Sequence, residues 1–266
     1  MPDPLAVPGL KSRGRGRPVL LIHGTGTDSS FFERSAGELA GRMRILTYDR
    51  TGWGRAEAAE DYRRTSIAEQ AIEAAGLLRR SDPGPGEPEL DEPVTVLGSG
   101  FGAVVALELA LAEPELVSGV ILVEPPLFGL LTGATEGVSS DVEAIRAGAE
   151  RGGEVAAYDL YLNGSLPTLG AGAERLGDAA DRGPAAAHSF LVELPAVPAW
   201  PIDPVRLAEV VPAVTVATVP STPPVLAEAA DALVPRIRGA ERAVATSDDQ
   251  VEAITELLET EAGPVR

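Results

Sequence analysis

Three short stretches carry the residue types and spacing of acyl chemistry. Val94-Thr95-Val96-Leu97 runs into Gly98-Ser99-Gly100-Phe101-Gly102 and opens at once into the Ala/Leu/Val pattern of residues 103–110. That order reads as strand, sharp turn, helix, with glycine where backbone passes close to backbone. A Gly-x-Ser-x-Gly turn of this kind lifts a serine above the sheet as a nucleophile. Here Gly98 and Gly102 are the outer glycines, and the residue between them is Gly100, which has no hydroxyl. Ser99 stands one residue early, before the turn, so its hydroxyl is expected to point away from a pocket. The other two stretches are Ile22-His23-Gly24-Thr25-Gly26 and Tyr48-Asp49-Arg50-Thr51-Gly52-Trp53-Gly54, each at the end of an apolar run.

Positioning these loops requires the elements before and after them. Val19–Ile22, Ile45–Tyr48, Val94–Leu97, Val117–Val123, Val214–Ala217 and Arg242–Ala245 read as strands, and most are the unbroken apolar runs of strands buried on both faces. Helical patterns fall between them: Phe32, Ala36 and Leu39 on one face after an N-cap at Asp28, Ser29 or Ser30, then Ile67–Leu78, residues 224–234 and Gln250–Glu259. The alternation predicts an α/β fold, a mostly parallel sheet with helices on both faces and ligands beyond the carboxyl ends of the strands. Residues 1–18 read as an irregular arm with one short edge strand at Leu5-Ala6-Val7, and Ser81–Pro93 as a Pro/Gly/acidic loop. The strand–helix rhythm stops between 127 and 212, where helical pieces are expected near 141–162 and 184–194. The division is therefore a core of 1–126 and 213–266 with an insertion of 127–212.

With these motifs in this order, the chain from about Pro18 to about Leu258 resembles the α/β-hydrolase superfamily. The resemblance implies that the insertion is a helical cap over the site, and that the N–H groups of Thr25 and Phe101 are the oxyanion donors. It also implies a nucleophile at Gly100, an acid in the loop after Val214–Ala217 and a histidine after the last strand. The first loop reads Thr218-Val219-Pro220-Ser221-Thr222-Pro223-Pro224 and the second Thr246-Ser247-Asp248-Asp249-Gln250, with no carboxylate in the one and no histidine in the other. The chain has two histidines, His23 and His188, neither at that position. A Ser-His-Asp hydrolase is therefore not the expected machine.

Glu124 stands at the end of Val117–Val123, a second place where the superfamily carries its acid. Held between apolar Val123 and Pro125, it reads as a general acid or base with a raised pKa, or else as a carboxylate that braces the loop. His23 reads as a brace beneath the oxyanion loop, or as a proton carrier. Asp49 and Arg50 read as a loop salt bridge. Gly24 and Gly100 offer backbone to a ligand, and Phe101 is expected at the pocket floor. Trp53, Tyr158, Tyr161 and Trp200 read either as pocket lining or as ordinary packing. His188 reads as a surface residue or as the cap's proton donor. Gly98, Gly100 and Ala103 with Glu124 also fit the alanine-ended dinucleotide fingerprint, although the motif comes third in a strand series the hydrolase pattern already explains.

Composition narrows the partners. A net charge of −18 argues against nucleic acid and anionic membranes, the absence of cysteine excludes thiol chemistry, and no phosphate loop or metal-ligand spacing occurs. No apolar run is long enough to span a bilayer and no signal core begins the chain, so a cytoplasmic protein is the expectation. The reading is cofactor-independent and metal-free, with a small-molecule substrate, and it is compatible with a homodimer. Three functions fit. The first is a non-hydrolytic enzyme, promoting cyclisation, elimination or isomerisation of a small apolar carbonyl compound in specialised-metabolite biosynthesis. The second is an inactive ligand-binding or partner protein, and the third a hydrolase using Glu124 and water.

Overall fold

The computed structural model describes residues 10–79, 90, 92–170, 176, 180–181 and 183–262. Its centre is a sheet of β1 (Lys11–Gly14), β2 (Arg17–Ile22), β3 (Met43–Thr47), β4 (Val94–Ser99), β5 (Val117–Val123), β6 (Ala213–Thr218) and β7 (Glu241–Val244), in the order β1-β3-β2-β4-β5-β6-β7. Only β1 runs antiparallel, paired with β3 from Lys11–Thr47 to Gly14–Arg44. The six predicted strands are present within a residue or two of their expected ends. The strand β1 is an addition, because Lys-Ser-Arg-Gly carries no apolar alternation and becomes a strand through its pairing with β3. The strand expected at Leu5–Val7 and most of the loop expected at Ser81–Pro93 lie outside the described residues.

Pleat alternation divides the core in two. Leu20 and Ile22 of β2 and Val94 and Val96 of β4 face a cluster with α2 (Ile67–Arg79) and α3 (Phe101–Ala112). Val19, Leu21, Leu97, Ile121 and Val123 face the other side, against Phe32, Leu39 of α1 (Glu33–Leu39) and Ile254 and Leu258 of α9 (Gln250–Ala262). Helix α3 is apolar apart from Glu108 and buried from Phe101 to Ala110, as suits a helix enclosed by sheet and neighbours. Asp28 caps the turn before α1, accepting from Ser30 N at 2.7 Å.

Between β5 and β6 stand α4 (Ala134–Leu162), α5 (Pro184–Glu193), α6 (Ala196–Ala199) and α7 (Pro204–Leu207), with no strand among the described residues. Helix α4 is two helices joined at Gly153, whose φ of 77° breaks the turn. Helix α8 (Pro224–Leu233) returns the chain to the sheet. No helix among the described residues is long and apolar enough to cross a membrane.

The sheet order fixes where a site can form. Strand β2 has β3 on one side and β4 on the other, so the connections leaving β2 and β4 part in opposite directions. The crevice at their carboxyl ends holds His23–Gly26 and the Gly98–Gly102 turn. These two loops cross at contact distance. A Cβ on Gly98 would lie 2.1 Å from Gly102 O, and one on Gly102 would lie 2.2 Å from Ile22 O. Gly98→Ala is therefore expected to cost about 3 kcal/mol, the upper part of the overpacking range. Gly76 in α2 meets nothing within 4 Å, and Gly76→Ala should instead stabilise by about 0.8–1 kcal/mol through helix propensity. Urea unfolding of the two variants checks the opposite signs.

Candidate active site

The turn after β4 has the geometry of a nucleophile turn and a glycine at its apex. Gly100 has φ 56° and ψ −120°, its N–H donates to Val123 O at 2.9 Å, and its carbonyl accepts from Ala103 N at 3.0 Å. A side chain there would meet nothing nearer than Gly24 Cα at 4.0 Å, so the apex opens into free space. Ser99 remains in β4, opposite Val123, and makes no hydrogen bond to either histidine. The N–H groups of Thr25 and Phe101 engage no acceptor among the described residues. Phe101 also begins α3, where the helix dipole favours negative charge.

Glu124 follows β5 with φ 50°, the only non-glycine residue of positive φ among the described residues. A left-handed conformation at such a residue costs about 1–3 kcal/mol and marks a place where surrounding structure overrides local preference. Its N–H is tied to Ala217 O at 2.9 Å. Its carboxylate is buried, accepting from the Thr222 hydroxyl on one oxygen and from Gln250 Nε2 at 3.2 Å on the other. Thr222 lies in the loop where the acid was expected, and Gln250 at the end of the loop where the histidine was expected. A buried polar cluster built from Glu124, Thr222 and Gln250 thus stands at those positions.

Beneath the His23–Gly26 loop lies a second cluster, which the sequence reading did not assemble. The Arg50 guanidinium is fully buried and pairs with Glu193 of α5. Arg50 also donates through Nε to His23 O at 3.0 Å, through Nη2 to Gly24 O at 3.1 Å and through Nη1 to Gln70 Oε1 at 3.3 Å. Glu193 accepts in addition from Trp53 Nε1 at 2.7 Å and from Thr25 Oγ1 at 2.9 Å. Burial works against the charge on Arg50, but the Glu193 carboxylate more than offsets it and holds the guanidinium pKa above its usual value. The predicted Asp49–Arg50 bridge does not form. Asp49 turns to the backbone N–H groups of Ser29 at 2.9 Å and Arg55 at 3.0 Å.

His23 is a brace. Its Nδ1–H donates to Gly24 O at 2.9 Å and its Nε2 accepts from Arg50 N at 3.0 Å, which fixes the neutral tautomer. Burial, aided by the Arg50 charge, lowers its pKa well below the ordinary histidine value. Both nitrogens are occupied, and the ring does not line the cavity, so the proton-carrier reading is withdrawn.

Above the turn is a cavity of about 430 Å³. Gly24, Thr25, Gly100, Phe101 and Glu124 line it, as predicted, together with Ser99 and Tyr161. Gln250 and Glu193 also line it, as do apolar side chains of the insertion including Val138, Val142, Phe190 and Val197. Trp53, Tyr158, His188 and Trp200 do not. Trp53 is spent on Glu193, and the Tyr158 hydroxyl donates to Asp181 O at 2.7 Å. Trp200 packs in the α3 core and donates to Glu108 Oε2 at 2.8 Å. His188 ties α5 outward, to Tyr62 O at 2.7 Å and Glu154 Oε1 at 3.0 Å, so it is not the cap's proton donor. Glu193 lies one helical turn after the pocket residue Phe190, and only the docking of α5 tells it from other glutamates. Among the described residues no three carboxylate or histidine side chains are grouped to hold a metal ion.

Comparison with known proteins agrees with the fold. The model of the alpha/beta hydrolase family matches residues 19–262. A Bacillus subtilis (strain 168) protein named "Uncharacterized hydrolase YraK" is 35% identical over 133 residues, 48% of this chain and 46% of that relative. The match thus spans under half the length of that curated relative. Among solved structures, a hydrolase from Oleispira antarctica superposes with a TM-score of 0.70 at 15% identity, over 98% of this chain and 96% of that one. An alpha/beta hydrolase from Sphaerobacter thermophilus DSM 20745 superposes with a TM-score of 0.69 at 16% identity, over 94% and 96% of the two chains.

Glu193→Gln leaves the buried Arg50 cation without its counter-charge and should cost about 3–5 kcal/mol, read from the urea midpoint. Replacing both partners by Arg50→Met with Glu193→Leu should recover part of that loss, because no isolated charge then remains buried. His188 gives a pH signature of opposite location. Its hydrogen bonds to Glu154 and Tyr62 raise its pKa in the folded state. Its contribution to stability is therefore complete below about pH 6.5, its unfolded value, and is lost as pH rises through the raised folded value. Melting temperatures of the native chain and His188→Gln should converge with rising pH, the gap being small because the His188 side chain is 30% exposed and Glu154 is 50% exposed.

Proposed function

The chain belongs to the alpha/beta hydrolase family, and from that premise we propose that it is a non-hydrolytic enzyme acting on a small, apolar, carbonyl-bearing substrate. The observation that carries the proposal is the cavity directly above Gly100, lined by apolar side chains, with Glu124 in its wall. Thr25 and Phe101, whose N–H groups engage no acceptor among the described residues, also line it. Such donors, fixed before reaction, stabilise an oxyanion without needing a nucleophile beside them. The glycine apex removes covalent attack, so an ester or lactone carbonyl bound there is polarised and not acylated onto the protein.

Glu124 is the proposed base. It takes a proton from the carbon next to the carbonyl, and the electron pair moves onto the oxygen held by Thr25 and Phe101. The resulting enolate is then reprotonated at another position, closes a ring on a second electrophilic carbon, or expels a leaving group. The Thr222 and Gln250 hydrogen bonds fix the carboxylate during this transfer. The insertion of residues 127–212 is the lid in this reading, supplying Tyr161 and Phe190 to the cavity and keeping water from the enolate.

Proton exchange tests the step without the natural substrate. Incubation with 4-phenylbutan-2-one in deuterium oxide should exchange the protons next to the carbonyl faster than buffer does, followed by proton NMR. Glu124→Gln should slow the exchange by about 10²-fold or more, the lower range for a positioned general base. Binding without enhanced exchange would favour a ligand carrier. Hydrolysis of 4-nitrophenyl butyrate that falls on Glu124→Gln would favour a water-activating hydrolase instead.

A further inference from the structure

Away from the cavity, one side chain joins three parts of the chain. His188 of α5 meets Glu154 Oε1 of α4 through Nδ1 at 3.0 Å, and Tyr62 O of the loop between β3 and α2 through Nε2 at 2.7 Å. A carboxylate and a carbonyl only accept hydrogen bonds, so the two contacts exist together only when both ring nitrogens carry a proton. We propose that the His188 imidazolium is a proton-operated clasp on the insertion, and that loss of its proton releases Glu154 and loosens the break in α4. Glu154 favours the proton and the nearby charge of Arg63 opposes it. The hydrogen bonds to Glu154 and Tyr62 outweigh burial and Arg63, and raise the folded-state pKa above the ordinary histidine value. The Tyr62 hydroxyl, pushed up to about 12 chiefly by burial, stays protonated throughout. The clasp is therefore closed below the raised histidine value and opens as pH climbs through it.

The surroundings decide which contact is lost. Next to His188, the buried Ser189 hydroxyl donates to Gly52 O at 2.6 Å, in the same loop as Tyr62. Tyr62 O also accepts from Arg63 Nη1 at 3.2 Å. The ring and the Tyr62 carbonyl are thus held face to face, and a bare Nε2 there would set lone pair against lone pair. The neutral ring keeps its proton on Nε2, and Nδ1 then turns a lone pair toward Glu154. That carboxylate side chain is 50% exposed and passes into water at little cost. Glu154 directly follows Gly153, the residue that breaks α4. The half of α4 before the break brings Val138 and Val142 to the cavity wall, and the half after it brings Tyr161. Among the described residues, no hydrogen bond or ion pair joins 134–152 to the sheet or to its loops. The side-chain tie of this half stays within the insertion, where Asp141 accepts from Thr168 N at 2.7 Å and Leu169 N at 2.6 Å. Once Glu154 is released, the wall formed by the first half of α4 is the part that yields.

Nitrogen NMR of isotope-labelled histidine rings reads the clasp directly, because the chain has two histidines and burial keeps the pKa of His23 well below the ordinary value. Between about pH 5.5 and 8.5 one ring should titrate, with its midpoint above about 6.5. Both of its nitrogens should be protonated below the midpoint, and Nε2 alone above it. Glu154→Gln should lower that midpoint by about half a pH unit or more. Amide hydrogen exchange over residues 148–158, corrected for the pH dependence of intrinsic exchange, reads the break in α4. Protection there should fall about fivefold across the midpoint in the native chain, the worth of a well-formed exposed ion pair. Glu154→Gln and His188→Gln each lack one charge of the clasp and should show the lower protection at every pH. Residues 101–110 of α3 should be unchanged in all three chains. A neutral ring protonated on Nδ1, or a midpoint at or below the ordinary value, overturns the clasp. Protection over 148–158 that is constant with pH in the native chain, or that falls equally in both variants, overturns it as well.

Discussion

The buried ion pair between Arg50 and Glu193 is the constraint on which the rest of this site depends. Two full charges in an interior of low polarity are tolerated only when their hydrogen-bonding capacity is met. Here it is met by groups from three separate parts of the chain: the carbonyls of His23 and Gly24 with the Thr25 hydroxyl, the Trp53 indole, and Gln70 of α2. Such a pair is close to neutral in net stability beside an apolar replacement, so its consequence is positional. It fixes the loop after β2 against the loop after β3, and fixes α5 of the insertion against both. Thr25, one of the two oxyanion donors proposed above, sits on the loop so held. Its side chain bonds Glu193, and the residue lines the cavity.

A second carboxylate anchors the other end of the insertion in the reverse sense. Glu108, buried in α3, accepts a bidentate pair from Arg206 of α7 at 2.7 and 2.8 Å and the Trp200 indole at 2.8 Å. One anchor thus reaches from insertion to core, and the other from core to insertion. Between them, apolar side chains from α4 and α5 close over the glycine turn. The cavity is consequently a product of long-range pairing and not of any one loop. The turn beneath it has a different origin: Gly98, Gly102 and Gly24 allow backbone to cross backbone at distances that a Cβ would forbid.

Much of the fold was legible because its signals are local. Unbroken apolar runs marked strands buried on both faces, and the glycine spacing marked the turn. What misled were residues whose meaning depends on a distant partner. Asp49 and Arg50 are adjacent and opposite in charge, yet each found better donors and acceptors elsewhere: Asp49 in backbone N–H groups, Arg50 in a glutamate 143 positions away. Trp53, Tyr158 and Trp200 are aromatic and lie near the site in sequence terms. Their polar tips were claimed by Glu193, Asp181 and Glu108, which turned them into packing. Tyr161, one helical turn on from Tyr158 and stacked on its ring with centroids 6.2 Å apart, lines the cavity instead.

By itself the sequence determined the order of strands and helices, the sharp turn after β4, and the loss of a hydroxyl at its apex. These follow from residue type, periodicity and the conformations glycine alone adopts readily. The tertiary structure decided which side chains meet. It brought Glu124, Thr222 and Gln250 into one hydrogen-bonded group across 126 residues, and paired Arg50 with Glu193 across the core–insertion boundary. Neither group carries a local signal. A carboxylate or guanidinium shows in sequence only its charge, whereas its role is set by whichever buried partner satisfies that charge once the chain has closed.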